Sequence, residues 1–83
     1  MTDERVIKMD KLVDRLKPYQ EGDQKGKDIC YYLVRSKADG ARTLIAAGAA
    51  YMYSLDDYFC DGSLSCEGVI ELGLYGSFYS VVD

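Results

Sequence analysis

The sequence contains no histidine, and it contains no lysine or arginine after Arg42. Without histidine, a cysteine or serine nucleophile lacks its usual base, and a Ser-His-Asp triad cannot be built. No motif indicates a cofactor either. We therefore expect a protein that is not an enzyme, with no catalytic residues and no bound cofactor.

Long apolar runs are also missing. The longest one, from Leu44 to Tyr53, covers ten residues, whereas a membrane-spanning helix needs about 20. The charged segment MTDERVIKMDK lacks the apolar region of a signal peptide. These absences predict a cytoplasmic protein with no membrane association. We expect its three cysteines to be reduced thiols, with a Cys60–Cys66 disulfide as the less favoured alternative.

Charge is distributed unevenly along the chain. Residues 1–42 hold all ten basic residues and eight acids, a formal charge of +2, while residues 43–83 hold six acids and no base, a formal charge of −6. A pI near 4.6 argues against direct binding to nucleic acid, whose phosphates would repel this chain. Any basic partner for an acid of residues 43–83 must come from the first half, from a second copy or from another protein.

The length of 83 residues predicts a single domain, residues 1–83, with a modest core. The apolar fraction of 48% is ordinary for a globular protein. The apolar spacing favours a mainly α fold, a small single-domain bundle of three to four helices. The alternative is an α+β fold with a small antiparallel sheet built from residues 29–36 and 66–82.

Two segments carry the helical pattern. Residues 2–17 place apolar side chains at spacings of three and four, and Pro18 would end that helix. Residues 41–60 are rich in alanine, the best helix former, and their apolar positions fall on one helical face. The sequence Asp61-Gly62-Ser63 is expected to end this second helix. A polar connector, residues 18–28, follows the first one.

Two further segments are ambiguous. Residues 29–39 begin with a β-branched and aromatic run that favours a strand followed by a turn at Ala38-Asp39-Gly40. A cap at Asp28 and a stop at Gly40 favour a helix instead, which we prefer slightly because the next segment looks helical. Residues 64–83 fit either a short helix capped by Ser63 or a strand that Gly76 turns into a second one.

Acidic and tyrosine side chains concentrate at the end of the second predicted helix. Helical geometry places Asp57 and Asp61 on one exposed face, with tyrosines beside them. Tyrosine flanked by carboxylates resembles the composition of binding hot spots. We predict that the contact surface for a partner consists of Asp56, Asp57, Asp61, Tyr53, Tyr58 and Glu67.

In length, acidity and lack of catalytic motifs, the chain resembles the short acidic inhibitors encoded by phages and mobile elements, including anti-CRISPR and anti-restriction proteins. The resemblance implies a small soluble inhibitor that mimics the charge of nucleic acid. Such a protein would occlude a basic surface of a nucleic-acid-handling partner, and it would not bind nucleic acid itself.

Two other functions fit the sequence. One is a self-associating structural module without enzymatic activity, in which Lys8, Lys11 and Arg15 meet the acidic half of a second copy in a homodimer. The other is a Mg²⁺- or Ca²⁺-binding protein that uses the aspartate run from Asp56 to Asp61. A solvated helix end explains the run more simply, so our first expectation is no metal site.

Overall fold

A six-stranded mixed β-sheet with short flanking helices forms the fold. The computed structural model describes residues 5–22 and 28–83. The strands are β1 (Val6–Lys8), β2 (Leu16–Pro18), β3 (Ile29–Ser36), β4 (Arg42–Ala46), β5 (Tyr58–Ser65) and β6 (Phe78–Val82). The helices are α1 (Met9–Leu12), a 3₁₀ helix (Ala47–Met52) and α2 (Cys66–Leu72). The predicted bundle of three to four helices is therefore wrong, and the protein is a small α+β domain dominated by its sheet.

The strands lie side by side in the order β1-β6-β4-β3-β5-β2. β1 runs parallel to β6, and every other neighbouring pair is antiparallel. A hairpin joins β3 to β4, and its turn contains Gly40 at a φ of 76°. The N–H of Ala41 donates to the Asp39 carboxylate, which lowers the pKa of Asp39. The strand-and-turn alternative for residues 29–39 is thus the correct one.

Both faces of the sheet are covered by apolar side chains. On the first face, α1, α2 and the segment after α2 cover a core that consists of Ile7, Leu12, Tyr31, Leu33, Leu44, Leu64, Leu74, Tyr79 and Val81. On the second face, the 3₁₀ helix and three tyrosines cover a smaller core of Tyr32, Val34 and Ile45. Consecutive side chains of a strand point to opposite faces, so Leu44 and Ile45 are both almost fully buried, one in each core.

Burial on both sides explains why the sequence pattern of residues 41–60 predicts a helix that the structure does not contain. A strand covered on both faces appears in the sequence as a continuous apolar run, and periodicity cannot separate such a run from a buried helix. The segment contains β4, the 3₁₀ helix, a turn and the start of β5. Residues 61–63, expected to end a helix, lie inside β5.

The predicted first helix is also wrong. Its residues 2–4 lie outside the described part of the chain, and the remainder contains β1, the four-residue helix α1 and β2. Pro18 ends β2 rather than a helix. β2 is an edge strand, where a residue without an N–H is tolerated. Of the predicted connector 18–28, residues 23–27 lie outside the described residues.

The C-terminal segment combines the two interpretations offered for it. A short helix, α2, is capped by Ser65 rather than Ser63, because the Ser65 hydroxyl accepts the Gly68 N–H at 3.1 Å. Gly73 closes α2 with a φ of 68°, a backbone conformation that glycine adopts without strain. The chain then returns as β6, which pairs with β4 and β1 instead of β3.

A disulfide joins Cys30 in β3 to Cys66 at the start of α2. The Cys66 N–H also donates to the Asp28 carbonyl at 2.8 Å. The expectation of three reduced thiols is therefore wrong, as is the Cys60–Cys66 alternative, while Cys60 keeps its thiol. Cytoplasmic location stays a prediction. Reduced thiols no longer support that prediction, because Cys30 and Cys66 form a disulfide and disulfides are rare in the cytosol.

We expect the substitution Gly62→Ala to destabilise the edge of the sheet. A Cβ at Gly62 would lie 2.8 Å from the carbonyl oxygen of Lys17 in β2, so β2 would have to move away from β5. The free energy of unfolding should fall by about 1–3 kcal/mol in chemical denaturation. Gly48→Ala is the matched control, because its Cβ would meet no atom within 4 Å. Equal stability of the two variants would contradict this close approach.

Candidate functional site

A tight turn between the 3₁₀ helix and β5 presents two carboxylates to solvent. Ser54 holds this turn: its hydroxyl accepts the N–H of Asp56 at 3.1 Å, and its carbonyl accepts the N–H groups of Asp57 and Tyr58. The N–H of Lys37 donates to the Asp57 carbonyl at 3.0 Å and ties the turn to the β3–β4 hairpin. Both aspartates are exposed. We call residues 53–58 the acidic turn.

The tyrosines at the two ends of the acidic turn pack against each other. The rings of Tyr53 and Tyr58 meet edge to face, with centroids 5.0 Å apart and an interplanar angle of 72°. Aromatic pairs of this geometry add roughly 0.5–1.5 kcal/mol beyond their burial. Both residues are half-buried against the second core. The pair brings the two ends of the turn together.

Exposed apolar side chains adjoin the acidic turn. Tyr51 is 85% exposed, Met52 60% and Leu55 57%. Beside them lies an open hollow of about 390 Å³ on the second face of the sheet. We call it the tyrosine hollow. It is lined by Tyr19, Tyr32, Val34, Ile45, Ala47, Gly48, Ala50, Tyr51, Tyr53, Leu55 and Cys60.

Asp61 does not belong to this site. It is the extra residue of a β-bulge in β5, between the pairs Leu33–Gly62 and Val34–Cys60. Its carboxylate accepts two hydrogen bonds from the Arg35 guanidinium, at 2.9 and 3.1 Å. These hydrogen bonds raise the pKa of Arg35 above its ordinary value.

The Arg35–Asp61 pair lies on the first face of the sheet, whereas Tyr53 and Tyr58 of the acidic turn pack on the second core. Strand alternation places Arg35 on the first face, with Leu33. Its guanidinium also stacks over the Phe59 ring, 4.5 Å from the centroid. The predicted helix that placed Asp61 and Asp57 on one face is absent, because Asp57 lies in a turn and Asp61 in a bulged strand.

Glu67 lies far from the acidic turn. It is exposed in the first turn of α2, which follows the other end of β5 and covers the first face. The eight residues of β5 separate the two places by about 20 Å. The structure thus brings together four of the six predicted contact residues, namely Asp56, Asp57, Tyr53 and Tyr58.

Within the aspartate run, the carboxylate of Asp61 is already paired with the guanidinium of Arg35. In residues 5–22 and 28–83, no group of three or more histidine, cysteine, aspartate or glutamate residues could hold a metal ion. The described ligand set therefore gives no geometric basis for the Mg²⁺ or Ca²⁺ hypothesis.

Ion pairs within the chain neutralise some of the acids in its second half. The three among the described residues are Arg15–Glu71, Arg35–Asp61 and Arg42–Asp83. Each joins a base of the first half to an acid of the second half. Asp56 and Asp57 belong to none of these pairs, so no ion pair among the described residues neutralises the acidic turn.

Sequence reasoning missed the apolar part of the site. The predicted helix over residues 41–60 placed Met52 and Leu55 on its buried face, whereas the 3₁₀ helix and the turn expose both. Tyr19 and Cys60 were not linked to the site, since only the sheet brings them to the tyrosine hollow. The one available signal was Gly48 inside an alanine run, which weakens a regular helix.

No protein-family model, no curated protein and no solved structure matches this chain. Among the described residues, no helix has the length and apolar character needed to span a membrane. A functional proposal therefore depends on the geometry of the chain itself.

Proposed function

We propose that the protein is a small acidic binding module that covers a basic surface of another protein, as inhibitors that mimic the charge of nucleic acid do. The acidic turn is the centre of its contact surface. The observation that carries the proposal is the position of Asp56 and Asp57. They are exposed on a turn fixed by Ser54, and they lie beside exposed apolar side chains.

Charge and apolar surface act differently in such a contact. Carboxylates attract a basic partner over a distance of about 8–10 Å at ordinary salt concentrations and speed association. Aromatic and methionine side chains supply the area that is removed from water, and interface cores are enriched in these residue types. The acidic turn and its neighbours Tyr51 and Met52 offer both on one continuous segment.

Self-association through the first-half bases is the weaker candidate. Arg15, one of the three bases assigned to it, already pairs with Glu71 of the same chain at 3.4 Å. Sedimentation at low and high salt separates the two functions. A homodimer that dissociates as salt rises supports self-association, and a monomer under both conditions supports a different partner.

Charge reversal at the acidic turn tests the proposed function. The wild-type protein, immobilised, is used to capture proteins from its host, and the affinity of each captured protein is then measured with variants. We expect the double variant Asp56→Lys, Asp57→Lys to lose about 100-fold or more in affinity, because like charges across an interface cost several kcal/mol. The affinity of the wild type should also weaken as salt rises.

The matched control is Asp10→Lys, Asp14→Lys. It changes the net charge by the same amount at two exposed positions in and after α1, which lies over the first face. This control should keep most of the affinity. Equal losses in the two double variants would point to overall charge rather than a site, and full affinity in the acidic-turn variant would refute the proposal.

A further inference from the structure

The tyrosine hollow has no assigned occupant, and it lies immediately beside the acidic turn. It forms where the 3₁₀ helix covers the second face of the sheet only in part, so Tyr32, Val34 and Ile45 make its floor. Its volume of about 390 Å³ lies at the lower end of the range for ligand-binding pockets. An aromatic or branched aliphatic side chain fits within that space.

The lining of the hollow and its rim differ in chemistry. None of the lining residues carries a formal charge at neutral pH, and most contribute aromatic or aliphatic carbon. Two of them, Tyr51 and Leu55, are more than half exposed, which leaves apolar surface for a partner to cover. The acids Asp56 and Asp57 follow Leu55 directly, so one side of the rim is negative.

We propose that the tyrosine hollow receives one aliphatic or aromatic side chain of a partner protein, and that lysine or arginine residues flanking this anchor meet Asp56 and Asp57. This inference rests on the proposed function and adds the chemistry of the bound segment to it. A buried apolar anchor surrounded by charged contacts is the usual arrangement of an energetic hot spot.

Charge complementarity favours this occupant over a second copy of the chain. In a symmetric dimer built on this surface, each patch would face its own copy. The acidic turns would then approach each other, and like charges that meet in this way cost several kcal/mol. A basic segment of a different protein removes that cost and uses the negative rim.

Two residues of the hollow make the inference testable. Gly48 borders the hollow, its φ is not positive, and a Cβ there would meet no atom within 4 Å. A side chain can therefore be added at position 48 without a clash at its Cβ. Gly48→Phe adds a ring beside the hollow, and Gly48→Ala is the matched smaller substitution. Cys60 keeps its thiol within the lining, so its rate of reaction with a thiol reagent reports on occupancy.

The experiment selects random dodecapeptides displayed on phage against the immobilised wild-type protein with its disulfide intact. We expect enriched peptides to carry an aromatic or branched aliphatic residue within three positions of at least two lysines or arginines. Affinities of the synthetic peptides should fall at least tenfold with Gly48→Phe and with Asp56→Lys, Asp57→Lys. They should fall less with Gly48→Ala than with Gly48→Phe, and they should stay within threefold with the double variant Asp10→Lys, Asp14→Lys. Bound peptide should slow the reaction of Cys60 with the thiol reagent. Thermal unfolding checks that each variant is folded.

Other outcomes separate the anchor from the proposed function. Basic peptides that lose affinity with the charge reversal and not with Gly48→Phe would overturn the anchor and leave the acidic contact standing. Apolar peptides that lose affinity with Gly48→Phe and keep it with the charge reversal would overturn both the basic-flanked anchor and the acidic contact. That result would mark the hollow as a site for an uncharged ligand. The anchor would also be overturned if no peptide were enriched, or if a second molecule of the protein competed with the peptides for the hollow.

Discussion

Reducing the Cys30–Cys66 disulfide is expected to lower the free energy of unfolding by about 4 kcal/mol. The bond links residues 36 positions apart, and a closed loop of that length restricts the unfolded chain by roughly this amount at 25 °C. The total free energy of unfolding of a small domain is about 5–15 kcal/mol. For a chain of 83 residues, the melting temperature should fall by roughly 15–30 °C. Thermal unfolding followed by circular dichroism, with and without dithiothreitol, measures this change.

Cysteine variants separate this disulfide from the remaining thiol. Cys60→Ser should melt near the wild-type temperature and respond to dithiothreitol as the wild type does. The double variant Cys30→Ala, Cys66→Ala should melt at the lower temperature expected for the reduced wild type, and dithiothreitol should not change that temperature. Mass spectrometry must show that the reduced wild type has gained two hydrogens. An unchanged melting temperature in that fully reduced protein would show that the bond adds no stability.

The substitution Leu64→Ala is expected to cost about 3 kcal/mol. Leu64 is fully buried in the first core, and removing such a side chain leaves a cavity as well as losing the transfer free energy. Its Cδ1 atom would lie 2.8 Å from a Cβ placed at Gly68 in α2. Gly68→Ala alone should therefore cost about 1–3 kcal/mol through overpacking, although alanine has the higher helix propensity.

The double variant tests whether these two residues act through one contact. In the Leu64→Ala background the added methyl group at position 68 fills part of the cavity, so Gly68→Ala should become neutral or stabilising. We expect the two costs to be non-additive by at least 1 kcal/mol, within the range for residues in contact. Urea denaturation of the four proteins gives this number. Additive costs would show that α2 does not pack closely on Leu64.

Part of the candidate site was predictable because its features are local in the sequence. Asp56 and Asp57 are adjacent, and tyrosines follow and precede them within four positions, so they stay together in a helix or in a turn. Asp61 and Glu67 depend on the conformation of the chain between them and Asp57. Because that chain is an extended, bulged strand and not a helix, Asp61 pairs with Arg35, and Glu67 lies beyond the far end of β5.

The fold was less predictable because its strands pair over long sequence distances. β1 is three residues long and pairs with β6 near the other end of the chain, which no local pattern records. The spacing of Val6, Met9, Val13 and Leu16 satisfies a helix, yet Val6 and Val13 are about half exposed. Pairing with the sheet and burial of Ile7 outweigh differences in helix propensity, which amount to less than about 1 kcal/mol per residue.

The sequence by itself determined the charge split, the absence of histidine chemistry, the strand-favouring run before Ala38-Asp39-Gly40 and the cluster of acids and tyrosines after residue 52. These depend on composition and on neighbours along the chain. Only the tertiary structure decided which acids are paired internally, that Cys30 meets Cys66, and that an apolar hollow lies beside the acidic turn. Each of these is a contact between residues far apart in sequence, and sheet register places such residues together.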